Sequence, residues 1–230
     1  MKTVYLRIIL GLILCSNFLW ASSKRYEVQS AIVHYTSSSQ GEVFGMKTTS
    51  TGKSILTLKE WGAVETMEET LSQSSMGQTD TTHTLTKIDH DSVYLVDFDD
   101  KTITKVSNPM MKKETAQSGK EMLESIGAKK IAQEEILGYP CEVWEGMGSK
   151  MWFYKGIMLK SEALSMGINY TMIATDIQIN ISIEDEQFDL PNFPIQEGMK
   201  SQHDDIPQEQ MPSAQELQKM MQNLGDMFSK

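Results

Sequence analysis

The chain has 230 residues, 31 acidic against 21 basic side chains, and a formal charge of −10. A surface this acidic repels a phosphate backbone and excludes nucleic acid as a partner. Its only cysteines are Cys15 and Cys141, which leaves no room for a dense disulfide framework or a thiolate metal site.

Residues 1–23 read as a secretory signal. Lys2 and Arg7 form a basic start, Ile8–Leu19 is mostly apolar, and the small residues Ala21, Ser22 and Ser23 follow. The apolar run is short for a membrane span of about 20 residues. Leu14 precedes Cys15 where lipid attachment requires a small residue, so lipidation is not expected. Residues 1–23 hold two of the basic residues and none of the acidic ones. The remainder therefore carries 19 basic against 31 acidic side chains, a formal charge of −12. A bacterial protein, periplasmic or secreted after cleavage, is the expectation. Cys141, left alone, reads as a small core hydrophobe.

Tyr26–Thr36 is apolar and β-prone, and its alternation changes phase near Ser30, which predicts a bulge or a strand covered on both faces. Ser37–Gly41 reads as a turn. Glu42–Ser50 and Ser54–Glu60 read as one strand broken at Thr51-Gly52, followed by a turn at Trp61-Gly62. In Ala63–Ser72 the set Val64, Thr66, Glu68 and Thr70 predicts a wet face. After the Thr-rich stretch Asp80–Ile88, Asp89-His-Asp91 turns into Ser92–Phe98. Asp99-Asp-Lys101 turns again into Thr102–Val106. Asn108-Pro109 opens a helix expected over about residues 110–126, with Met122, Leu123 and Ile126 at helical spacing and Gly127 at its end.

Cys141–Glu145 and Lys150–Lys155 flank Gly146-Met-Gly-Ser149, a hairpin signal expected at the centre of an antiparallel sheet. Trp144 and Trp152 are expected near each other across it. Gly156 turns into Ile157–Ala163. From Tyr170 to Glu184, Ile177, Ile179, Ile181 and Ile183 alternate with Asp176, Gln178, Asn180, Ser182 and Glu184, giving one dry and one wet face. Phe188–Pro194 closes the domain, expected to span 24–195. Residues 196–212 read as a polar linker. Ser213-Ala-Gln-Glu216 is a capping box, and residues 213–230 form an amphipathic C-terminal helix. Leu217, Met220, Met221, Leu224, Met227 and Phe228 line its apolar stripe. Leu217, Met220, Met221, Leu224 and Phe228 are the candidate partner-facing residues.

The segments Leu137-Gly-Tyr-Pro-Cys-Glu-Val-Trp144, Trp152–Glu162, Ala174–Ile183 and Phe188-Asp-Leu-Pro191 resemble bacterial secreted domains of unknown function related to the LolA/LolB lipoprotein-carrier superfamily. The resemblance covers roughly residues 26–195. It implies a mainly β fold with minor α: a strongly curved antiparallel sheet, an open half-barrel with helices in its concave side. It also implies a lipid or lipoprotein acyl chain as ligand. The acidic C-terminal extension departs from that pattern.

No catalytic motif is present. Asp89-His90-Asp91 is compatible with a metal or a turn, and the turn explains it as well. Asp97, Asp99 and Asp100 lack the glutamate of a calcium loop. Gly146-Met-Gly-Ser149 is not a nucleophile elbow. No cofactor is expected. The 17 methionines suit adaptable packing better than copper(I) binding. Two functions remain. One is a non-enzymatic LolA-like binding protein holding a lipid or other apolar ligand. The other is an envelope structural or interaction protein with a filled core, docking a partner through its C-terminal helix.

Overall fold

A computed structural model describes residues 24–43, 45–107, 123–124, 127–165 and 167–198. The strands are β1 (Ala31–Val43), β2 (Met46–Lys59), β3 (Val64–Ser75), β4 (Gln78–Asp89), β5 (Ser92–Asp97) and β6 (Thr102–Ser107). They continue with β7 (Lys129–Ile136), β8 (Tyr139–Gly146), β9 (Ser149–Tyr154), β10 (Ile157–Ser165), β11 (Ile168–Ile179) and β12 (Ile195–Glu197). All belong to one 12-stranded sheet in the order β12-β6-β5-β4-β3-β2-β1-β11-β10-β9-β8-β7, open at both edges. Neighbours are antiparallel except β12 on β6. Two meanders therefore meet where β1 pairs with β11.

β1, not the tryptophan hairpin, is the centre of the sheet; β8 and β9 lie toward one edge. The hairpin itself forms, around the two-residue turn Met147-Gly148. Its register pairs Val143 with Trp152 and Trp144 with Met151. Adjacent pairs in a ladder point to opposite faces, so the two indoles lie on opposite faces rather than side by side. Trp152 joins the main core, and its Nε1–H donates to Glu134 Oε2 at 2.8 Å.

Other expectations are corrected by pairing. Ser37–Gly41 is not a turn but part of β1, bonded on both sides. Thr51-Gly52 does not break β2. Gly52 sits where a Cβ would lie 2.5 Å from Ser37 Oγ and 3.1 Å from Leu71 Cδ1, so its bareness lets three strands approach. The phase change near Ser30 falls just before β1, where Ser30 and Ala31 are both buried, and a separate bulge lies on β11 at Thr175, between the pairs His34–Asp176 and Tyr35–Ala174. It moves the dry positions from Met172 and Ala174 to Ile177 and Ile179. The isoleucine strand ends at Ile179; Ile181 and Ile183 lie half-buried beyond it. Val64 and Thr66, expected wet, are buried. Residues 195–197, placed at the domain end and linker start, extend the sheet as β12, and Gly198 N–H donates to Lys105 O at 2.7 Å. The leader, the C-terminal helix and its stripe lie outside the described residues. So does the mid-chain helix apart from Leu123 and Glu124, and neither helix is among the described elements.

The main core runs across β1, β2, β8, β9, β10 and β11 and includes Ala31, Val33, Leu58, Val143, Leu159 and Ile177. Leu85, Val96 and Ile103 form a smaller core, covered by Leu190 and Phe193 of the closing segment.

The sheet is curled at one end, as its first residues record. Tyr26 N–H donates to Trp61 O at 3.2 Å, and Glu27 N–H to Lys155 O at 3.0 Å. Trp61 lies in the β2–β3 connection and Lys155 in the β9–β10 turn, four strand spacings apart. In a flat sheet those connections stand roughly 19 Å apart. Consecutive residues, about 3.8 Å apart, reach both only if the sheet curls. Tyr26 fills the gap: a Cβ on Gly62 or on Gly156 would lie 2.6 Å or 3.4 Å from its ring. Residues 24–29 thus form a strap across that end.

Gly62→Ala places a methyl group on the Tyr26 ring at a φ of +90°. It should lower stability by about 1–3 kcal/mol or more, read as a lower denaturant midpoint. Gly77→Ala, with open space around it, should cost only the strain of its positive φ.

Candidate functional site

The inner face of the curl changes chemistry along the strands. Near the strap it is apolar: Ala31, Val33 and Tyr35 of β1 beside Leu56 and Leu58 of β2. Two residues per step along the same strands come Ser37, Ser39 and Gly41, opposite Gly52, Ser50 and Thr48. The serines are buried, and Ser39 Oγ and Ser50 Oγ share a hydrogen bond at 2.7 Å. Small side chains let the chain pack closely here, and hydroxyls make the buried surface polar.

At the open end this surface meets a groove of about 510 Å³. Glu145, Lys150, Glu162 and Thr171 form one row across β8, β9, β10 and β11. Ser149, Ala163 and Tyr170 form the next row, with Leu164 at the rim. Its lining mixes apolar residues, Ala163, Leu164 and Tyr170, with charged and hydroxyl ones, and alternation sends the two rows to opposite faces of the sheet. The Tyr170 hydroxyl is buried beside Ser37, without a hydrogen bond of ordinary geometry. Burial first, and then the charge of Glu69, hold its pKa well above the ordinary tyrosine value. Glu69, half-buried on β3 opposite Ser54, is raised by burial.

A second polar centre lies under the strap. Arg25 and Glu65 are almost wholly buried and paired, Nη2 to Oε2 at 2.8 Å. The Tyr26 hydroxyl donates to the same oxygen at 2.8 Å, and Arg25 Nε–H donates to Gly62 O at 2.8 Å. Burial raises the pKa of Glu65, while Arg25 and then Tyr26 pull it back. Every member contacts the strap or what it crosses, so this centre is a fastening.

The motifs singled out in the sequence resolve as turns and packing. Asp97 Oδ1 accepts from the amides of Asp99 and Asp100, both at 2.9 Å, an Asx turn. His90 Nδ1 lies 2.8 Å from Asp89 Oδ1, at a turn residue with φ of 53°. His83 stacks on Phe98 at 4.0 Å and lies 2.6 Å from Glu68 Oε1. That pair is diagonal across β3 and β4, visible only once the register is known. Cys141 is fully buried, and burial pushes its thiol pKa up. Among the described residues no group of three or more His, Cys, Asp or Glu gathers as a metal site requires. Leu217, Met220, Met221, Leu224 and Phe228 lie outside the described residues.

Residues 43–166 match the family described as Domain of unknown function (DUF4412). No curated protein matches. Similar solved structures include an uncharacterized conserved protein from Thermus thermophilus, at 7% identity and a TM-score of 0.44, covering 80% of this chain and 94% of that one. A DUF1329 family protein from Desulfovibrio piger matches at 10% and 0.32, over 71% and 90%. An outer membrane lipoprotein-sorting domain from Vibrio parahaemolyticus matches at 12% and 0.25, over 71% and 91%. Likenesses this distant carry no functional argument.

Removing one partner of the fastening leaves a buried charge. Arg25→Ala should therefore cost about 3–5 kcal/mol, whereas Arg25→Met with Glu65→Leu should cost clearly less, read from denaturant midpoints. Glu69→Gln should behave oppositely. A carboxyl whose pKa is raised on folding stabilises below its unfolded pKa and loses that contribution as pH rises through the folded pKa. The glutamine variant should thus melt higher than wild type at pH 8, with the gap closing as pH falls toward 4.

Proposed function

We infer a role from two premises: the chain belongs to the DUF4412 family of domains of unknown function, and its curled sheet opens onto an amphipathic groove. The reading is a non-enzymatic binding module that holds an amphiphile, a lipid or an acyl chain with a polar head. The groove carries this reading. Its volume of about 510 Å³ lies in the range of small-ligand sites, roughly 300–1,000 Å³. Ala163 and Tyr170 offer apolar contact on one face and Leu164 on the other, and the Tyr170 hydroxyl beside Ser37 adds a polar group. The basic, apolar, small-residue leader supports placement in the bacterial envelope or outside the cell.

A specific observation favours a second reading. The apolar half of the inner face is filled by Leu58, Val143, Trp152 and Leu159 rather than hollow. Under that reading the domain is an envelope interaction protein, and the C-terminal stripe docks the partner.

One experiment separates the two. Solvent extraction and mass spectrometry of purified protein should yield lipid, and a fluorescent fatty acid should bind. Ala163→Trp, which fills the groove, should weaken that binding at least tenfold with an unchanged melting point. A wild type that is empty and takes up no probe sinks the binding module and leaves the interaction protein. The N-terminus of the exported protein should fall before Arg25, whose side chain the fold buries; intact-mass measurement checks this.

A further inference from the structure

The β3–β4 and β8–β9 hairpins turn at the open end on Met76-Gly77 and Met147-Gly148. Their φ angles are 54° and 78°, and 51° and 73°. Two positive φ values define the type I′ turn, for which Asn or Asp before Gly is strongly preferred. A short polar side chain tolerates the left-handed region by bonding locally; methionine has no such compensation. Both methionines also stand in water, 78% and 69% exposed. At each tip the chain carries a residue less stable in the turn and less soluble than asparagine.

Leu164, 61% exposed, stands near the β10–β11 turn at the same end. These are the three most exposed large apolar side chains among the described residues. At the opposite end the two-residue turns are His90-Asp91, Leu137-Gly138 and Lys155-Gly156, where only Leu137 is apolar.

The occupant follows from spacing and charge. The Met76 and Met147 hairpins are centred six strand spacings apart, roughly 29 Å along the sheet. They form separated points on a rim rather than one patch, which suits a broad apolar layer better than a single pocket. The net charge of −10 gives no attraction to anionic head groups. We propose that this end of the sheet rests on a lipid surface with zwitterionic head groups, with Met76, Met147 and Leu164 reaching the acyl boundary. The proposal does not require the groove to be occupied.

Flotation of the purified protein with phosphatidylcholine vesicles tests it. Wild type should float. Met76→Asn with Met147→Asn should bind at least tenfold more weakly, with a melting point equal to or above wild type because asparagine suits the turn. Leu137→Asn, the same turn type at the other end, should float as wild type does. A wild type that stays in the aqueous fractions overturns the proposal. So does a double variant that floats equally, or a Leu137→Asn variant that fails equally. If the tips instead bury against a second copy, sedimentation without vesicles will show a dimer that the double variant abolishes, and the lipid assignment falls. Protein that takes up fatty acid but does not float rejects this inference alone; protein that floats but stays empty rejects only the groove reading.

Discussion

Two consecutive amides hold this architecture. Tyr26 and Glu27 bond to connections that a flat sheet would set four strands apart, so the strap and the curl are one constraint. The strap stays because Arg25 is fastened beneath it to Glu65 and Gly62. A buried ion pair is weak evidence for net stability. Here it fixes position: Arg25 bonds to both the Glu65 carboxylate and the Gly62 carbonyl, and the Tyr26 hydroxyl bonds to the same carboxylate. Curling in turn gives the sheet an inside.

That inside is graded. The strap end is packed with branched aliphatics and Trp152, and the far end holds serines, glycines and the buried Tyr170 hydroxyl. Alternation along β1 and β2 produces the gradient directly, since each second residue enters the same face. A uniformly aliphatic face would collapse to a solid core, and a uniformly polar one would not fold. From Ser37 and Gly52 onward the side chains are small and polar, while the strap end carries the larger apolar core.

Local signals in the sequence were good guides, and distant pairings were not. The β8–β9 hairpin was legible because Gly-containing turns between β-prone runs are short-range features. The tryptophan pairing was misread because a two-residue turn makes facing positions differ by an odd number, which sends Trp144 and Trp152 to opposite faces. Ser37–Gly41 looked like a turn because composition cannot show that strands on both sides take up the backbone. The fastening left no trace, since Arg25 and Glu65 stand 40 positions apart. The groove was equally hidden: its rows exist only when β8, β9, β10 and β11 lie in register.

The meeting of the two meanders has a consequence for how the chain folds. β1 pairs on one side with β2, its immediate successor, and on the other with β11, where Thr175 bonds to His34 across 141 positions of sequence. As the chain emerges N-terminus first, the first meander can zip from its own hairpins, but its central strand keeps a bare edge until nearly the whole domain has arrived. Loop-closure entropy makes such long-range joining slow, and an unpaired edge is a template for wrong partners. The thirteen-residue length of β1 enlarges that template. The hydroxyls of Ser37, Ser38 and Ser39 keep half of it unattractive to other apolar strands, so the polar stretch of β1 guards the nascent chain while it waits.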